Sequence, residues 1–421
     1  MKALVLKGKG NIAYIEKERP TLAASHGALL KPLLVSPCTS DVHTIWQGSP
    51  KRPDLTLGHE VIARVEEVGA EVTDFRVGDV VAVSAITPDW SQPDVEENYA
   101  HAGHNFSAHM LGNTIDGAFQ ELFYLPYADR NLAHIPDGLK LEDALMCVDV
   151  LQTGFTAVEE AGVKPGDTVV VMGIGAIGLA AILGAKLAGA RTIYAVGSRP
   201  ENTRIAESMS DIHCHVEVLN YRHLHCPLPQ GMHPLANSTG SPVVNYVLTK
   251  TQTKGADKVL ICGGDDLAFP QAIDMVKYGT GVVSNVMYYG ADLDTQGGEL
   301  KTLEAMNSAE TYLTSTAAAV EAEAQAAGDV LRKAHTVTLN DNIDCIQIPK
   351  FSIGRGMAGK TLKFSLSRGG RQNLERVMRI VQESGVHPSI FITEHYDGLD
   401  QIAQAIDDMK ERKAIKIAVK I

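Results

Sequence analysis

Residues 169–178, VVVMGIGAIG, place Gly173, Gly175 and Gly178 in a G-x-G-x-x-G spacing between an apolar run and an apolar helical pattern. The first glycine permits a tight strand-to-helix turn, and the second lets the backbone approach a pyrophosphate. The third lets the helix pack on the strand, with the helix N-terminus facing the phosphates. The flanking context fits, so the segment is expected to bind a dinucleotide, with Ile177 among its contacts. The next strand, RTIYAVGSRP, ends in Gly197-Ser198-Arg199, where an NAD site would carry an acid for the ribose 2′-hydroxyl. A small residue leaves room for a 2′-phosphate, and Ser198 and Arg199 can bind it, so NADP(H) is the expected cofactor.

Working outward, strands and helices alternate: DTVVVMG, AIGLAAILGAKLAGA, RTIYAVG, a helix from Pro200, ADKVLICGG, a helix from Leu267, then GVVSNVMYYG. Such alternation predicts a doubly wound parallel sheet. DALMCVDVLQTGFTAVEEAGV, just before it, reads as one helix. Residues 1 to about 150 are instead strand-like and punctuated by glycine and proline, as in LGHEVIARVEEVG and VGDVVAVSA. The chain closes with a helix near 372–385, a strand SIFITEHY, a helix over 398–411 and a strand IKIAVKI. Two inserts interrupt the pattern: a Pro/His-rich loop at 223–242 and an Ala-rich stretch at 291–345.

At 421 residues the chain is too long for one ordinary core, so two domains are expected. A net charge of −12 argues against nucleic acid or an anionic membrane as partner. No stretch offers the roughly 20 uninterrupted apolar residues of a membrane span. Six scattered cysteines (Cys38, Cys147, Cys214, Cys226, Cys262 and Cys345) without a C-x-x-C pair fit a reducing compartment. The N-terminus has no apolar leader, so a cytoplasmic location is expected.

Oxidising an alcohol needs help in removing the hydroxyl proton. Cys38, His59 and Glu60 offer a thiolate, an imidazole and a carboxylate that suit zinc with an open position. A further ligand must come from elsewhere. Cys147 and Asp149, two apart in MCVDVLQTGF, would face different directions on a helix, so only one can point at a shared metal.

These residues resemble the zinc-dependent medium-chain alcohol dehydrogenases, and among them the microbial NADP-dependent secondary-alcohol (isopropanol) dehydrogenases. The matching segments are YIEKERP (14–20), VSPCTSDVHT (35–44), LGHE (57–60), VGDVV (77–81), TPDW (87–90), DVLQTGF (149–155), GIGAIGL (173–179), VGSRP (196–200), LNY (219–221) and SRGGR (367–371). The resemblance implies a GroES-like β-barrel catalytic domain joined to a Rossmann doubly wound parallel-sheet cofactor domain. The divisions are then 1–152 for the first catalytic segment, 153–346 for the cofactor domain with both inserts, and 347–421 for a segment returning to the catalytic domain. It implies one catalytic zinc held by Cys38, His59 and Asp149, the residue four before Thr153, with Glu60 as a close or exchanging fourth ligand. Ser40, rather than Thr39, is implied to accept the hydroxyl proton and pass it through the cofactor ribose to His43, with Asp41 orienting His59. Tyr221 is implied to flank the 2′-phosphate. A small secondary alcohol or ketone is the implied substrate, a primary alcohol or aldehyde being open too, and a homotetramer or homodimer the implied assembly.

The chain departs from the wider family in two places. With no cysteine between Cys38 and Cys147, the four-cysteine structural zinc site cannot form. His109 stands where the pocket ordinarily presents a tryptophan, while Tyr288 is kept as a pocket residue; His101 and His104 are expected to be solvated. Two other readings keep parts of this pattern: a zinc-free NADPH-dependent quinone or enoyl reductase of the same fold, and a non-catalytic NADPH-binding protein. Metal content and turnover separate the three.

Overall fold

The computed structural model describes residues 1–46, 52–91, 110–233, 236–265, 267–287 and 357–421. In the N-terminal half the elements are β1 (Lys2–Gly8), β2 (Asn11–Glu16), β3 (Ala28–Ser36), α1 (Thr39–Trp46), β4 (Leu55–Thr56), β5 (Glu60–Val68), β6 (Val80–Val83), β7 (Phe123–Leu125), α2 (Ala128–Asn131), β8 (Leu132–His134), α3 (Leu141–Val148) and α4 (Val150–Ala161). They continue with β9 (Thr168–Met172), α5 (Ala176–Leu187), β10 (Thr192–Val196), α6 (Pro200–Ser208), β11 (His215–Leu219), α7 (Pro242–Lys250), β12 (Lys258–Ile261), α8 (Ala268–Met275) and β13 (Val282–Asn285). Beyond the undescribed stretch come β14 (Thr361–Phe364), α9 (Gly370–Ser384), β15 (Ile392–Asp397), α10 (Ile402–Lys410) and β16 (Lys416–Lys420).

The glycine-rich segment sits in a six-stranded parallel sheet of order β11-β10-β9-β12-β13-β14. The strand order reverses between β9 and β12, and a cofactor binds at such a switch point, beyond the carboxyl ends of the strands. β9 is apolar along its length, Val169 to Met172 being buried, as befits a strand covered on both faces. The sheet extends to Phe364, past the boundary expected at 347.

The other half is built around a largely antiparallel sheet of order β15-β16-β3-β5-β6-β8, with β7 also pairing β3. β3 lies between β5 and β16. Its register on β5 sets Ser36 opposite Glu60, and its register on β16 sets Val35 opposite Val419. Continued by three residues, the second register carries Lys416 to the level of Cys38. A small sheet, β2-β1-β4, completes this half.

The segment expected as one helix is two. Asp149 (φ −139°, ψ −59°) breaks it, closing α3 and opening α4. The break is locally satisfied: Gln152 Nε2 donates to Val148 O at 2.7 Å and Thr153 Oγ1 to Asp149 Oδ1 at 2.9 Å. The expected strand SIFITEHY starts only at Ile392, after a 3₁₀ turn over Pro388–Phe391, and the helix expected from 398 starts at Ile402 after a second such turn. The 223–242 loop carries no long element in its described part, and α7 starts at Pro242. The 291–345 insert lies outside the described residues.

α4 links the two halves. Its apolar face joins the core that also holds α5, β9 and α9, and Asn373 of α9 donates to Gln152 Oε1 at 2.6 Å in that buried interior. At the α4–α5 crossing a Cβ on Gly154 would lie 2.6 Å from Ala180 Cβ and 2.8 Å from Ala181 N. Backbone cannot yield cheaply there, so overpacking should cost about 1–3 kcal/mol. Gly154→Ala is therefore expected to lower the denaturant midpoint of purified protein without changing the slope; an unchanged midpoint would mean that the two helices have slack at this crossing.

Candidate metal centre and cofactor site

β3 runs into α1 beside the start of β5, so the polar groups that open α1 lie next to His59 and Glu60. Cys38 serves as its N-cap: its carbonyl accepts from Asp41 N (3.0 Å) and Val42 N (3.3 Å), while its own N–H donates to Asp41 Oδ2 at 2.9 Å. This reciprocal arrangement fixes the thiol at the helix start. Asp41 Oδ1 lies 3.6 Å from His59 Nδ1, so one buried carboxylate touches both the Cys38 backbone and the His59 ring. The other ring nitrogen, Nε2, is 3.3 Å from Ser40 Oγ.

Donor atoms of Cys38, His59, Glu60 and Asp149 all lie within 4.8 Å of one another, the only such group found among the described residues. Cys38 Sγ is 3.8 Å from Asp149 Oδ2. Cys147 points away: its thiol donates to Asp143 O at 3.2 Å within the helix, and burial pushes its pKa well up. Of the two residues left open by spacing, Asp149 is the one that joins the cluster, because the helix breaks there.

The cluster's charges are mutually set. Burial, and then nearby Asp149, raise the Glu60 carboxyl to about 7 against the pull of Lys416. Burial raises the Cys38 thiol as well. Burial would raise Asp149 and depress His59, but their partners prevail. His59, Lys416 and Thr153 hold Asp149 low, and Asp41 with Cys38 holds His59 well above its ordinary value. Glu60 Oε2 is buried without a hydrogen-bond partner. A buried carboxylate oxygen without a partner, in a group of sulfur, nitrogen and oxygen donors, fits a zinc ligand set.

Sequence reasoning missed Lys416. Its ammonium, 3% exposed, donates to Glu60 Oε1 at 2.6 Å and to Pro37 O at 2.9 Å. Removing one partner of such a buried pair strands the other charge, at a cost of about 3–5 kcal/mol. No local signal marks this lysine, which lies 356 residues from its partner.

At the other site, Gly173 adopts φ +79°, and a Cβ on Gly178 would stand 1.9 Å from Gly173 O. Gly175 caps α5, with open space around it apart from Arg199, whose guanidinium lies 3.8 Å from the position of a Cβ. Ile177 is half-buried in the first turn of that helix. A Cβ on Gly197 would stand 2.1 Å from the Ile174 side chain, so any larger residue in the turn after β10 requires Ile174 to move. Ser198 Oγ donates to Tyr221 Oη at 3.2 Å, bringing those two predicted residues together. Arg199, Arg412 and Lys413 line one cavity of about 400 Å³ with Asn202 and Glu394. Burial and the neighbouring Arg412 both depress the Arg199 pKa. Arg412 was also missed: it arrives from the turn between α10 and β16. Thr39 is exposed at the start of α1, and His43 is half-buried one turn after Ser40. His109 and Tyr288, with His101 and His104, lie outside the described residues.

The chain matches two family models, the alcohol dehydrogenase GroES-like domain over residues 24–137 and the zinc-binding dehydrogenase over 176–326. It is 34% identical to proteins named NADP-dependent isopropanol dehydrogenase from Clostridium beijerinckii and Thermoanaerobacter brockii, in each case over 98% of this chain and 97% of the relative. Among solved structures, the alcohol dehydrogenase TADH from Thermus sp. ATN1 superposes with a TM-score of 0.73 at 22% identity, covering 100% of both chains. The sheets described above are therefore a GroES-like domain and a Rossmann domain, and the chain belongs to the zinc-binding alcohol dehydrogenases.

Proposed function

We propose that this protein is an NADP-dependent alcohol dehydrogenase acting on small secondary alcohols and ketones. The convergence of Cys38, His59, Glu60 and Asp149 carries this reading, beside full-length relatives named for that activity. Zinc would be held by Cys38, His59 and Asp149, with Glu60 beside them, as the one catalytic metal. Bound there, zinc supplies the Lewis acidity that lowers the pKa of an alcohol oxygen, and NADP(H) supplies the hydride acceptor or donor. Ser40 is the proton acceptor nearest the cluster. His43, one turn further along α1, exchanges the proton with solvent, and Asp41 fixes the orientation of His59. Gly173, Gly175, Ile177 and Gly178 accommodate the pyrophosphate. Ser198, Arg199 and Tyr221, joined by Arg412, hold the 2′-phosphate; two guanidiniums in one cavity favour a dianion over a bare hydroxyl.

The domains we assign are residues 1–152, then the cofactor domain through β14, then the remainder returning to the catalytic side. A cytoplasmic location and a homotetrameric or homodimeric assembly complete the reading; no helix among the described residues is long and apolar enough to cross a membrane. The zinc-free reductase and the binding-only protein leave four converging donor atoms without a task.

The test is NADPH consumption with acetone, butanone and acetaldehyde, with zinc quantified in the same preparation. Wild type is expected to carry about one zinc per chain and to reduce ketones, and Asp149→Ala to lose both metal and turnover. A zinc-free but active wild type would overturn the metal assignment. Arg199→Ala should raise KM for NADPH about 10- to 100-fold and leave KM for NADH nearly unchanged; equal effects on both cofactors would remove Arg199 from the 2′-phosphate site. Because Glu60 in the metal-free protein holds its proton up to about 7 and His59 is raised too, zinc must displace protons below that pH. Zinc affinity, read by chelator competition, is thus expected to fall between pH 8 and pH 6 by roughly tenfold per proton displaced per unit, with a shallower slope in Glu60→Gln; the same slope in that variant would exclude Glu60 from the metal set.

A further inference from the structure

Lys416 has no part in the chemistry above, yet it is the most buried cation at the site. Its ammonium takes only one oxygen of Glu60, Oε1, and spends a second hydrogen bond on Pro37 O, the residue before Cys38. Glu60 Oε2 is left buried without a partner. The charges also balance. Deprotonated as metal ligands, Cys38, Glu60 and Asp149 would sum to three negative charges beside a neutral His59. A divalent cation leaves one of them, and Lys416 cancels it.

We infer that Lys416 is a positioning residue that tethers Glu60 by one oxygen, so that Glu60 meets the metal through the other alone and stays displaceable. A carboxylate free to use both oxygens would hold the ion more firmly. A carboxylate with both oxygens engaged elsewhere would leave the ion. The lysine, a point donor with a single direction toward Glu60, sets the state between these two. An arginine in the same place presents a planar fork that matches both carboxylate oxygens. The inference rests on the reading of the cluster as a metal site, and the experiment separates the two.

The probes are cobalt(II) in place of zinc, followed by its visible d–d absorption, and the rate at which zinc passes to a coloured chelator. Lys416→Arg keeps the charge but occupies both oxygens of Glu60, so its cobalt spectrum should match that of Glu60→Gln rather than wild type. Lys416→Met frees Oε1 and removes the repelling cation, so zinc release should slow by about tenfold, the scale on which residues behind metal ligands act. A purely charge-balancing lysine predicts the opposite for the arginine variant, a wild-type spectrum, and that result would overturn the inference; so would a wild-type release rate in Lys416→Met. Should Lys416→Met not fold, the spectrum of Lys416→Arg decides alone. A wild type that binds neither cobalt nor zinc would instead sink the metal reading itself.

Discussion

The position of β3 between two antiparallel neighbours governs the metal centre. Side chains alternate along a strand, so a slip of one residue would turn each partner to the opposite face. The pairing of Ser36 with Glu60 brings the start of β5 beside the end of β3, and the pairing of Val35 with Val419 brings Lys416 alongside. Cys38 follows two residues later, fixed as the cap of α1. Only Asp149 comes from outside this sheet, and it comes because a helix that could have run on is broken at that residue. The site is therefore a junction of chain ends held by backbone pairing, with Asp41 and Thr153 fine-tuning two of the side chains.

The two sites are opposite in charge. The metal cluster gathers acids and a thiol around one buried lysine. The cavity beside Arg199 brings Arg412 close, and burial together with that neighbouring cation lowers the Arg199 pKa. The proposed ligands have the matching signs, a dication at the first and a phosphate dianion beside the two guanidiniums of the second.

Much of this was legible in the sequence because it is local. Gly173, Gly175 and Gly178 announce a tight turn through spacing alone, and the alternation of apolar runs with helical patterns foretells the parallel sheet. The choice between Cys147 and Asp149 was not legible from periodicity, since an unbroken helix was the natural expectation and the break depends on the hydrogen bonds of Gln152 and Thr153. Only resemblance pointed to Asp149. Lys416 and Arg412 were invisible for a different reason. Both lie near the chain's far end and reach their sites through sheet pairing and packing across hundreds of residues, and a charged residue in an alternating strand reads as solvated.

The separation of 356 residues between Lys416 and Glu60 bears on the order of events during synthesis. The four donor residues leave the ribosome long before the strand that carries Lys416. Until β16 adds to β3, the end of β3 next to Cys38 is paired only with β5, and Glu60 lacks its lysine partner. Contacts of such sequence separation form late and slowly. During that interval the acidic donors lack the buried cation that the finished fold supplies, so the charge balance around Glu60 is complete only when the strand carrying Lys416 docks.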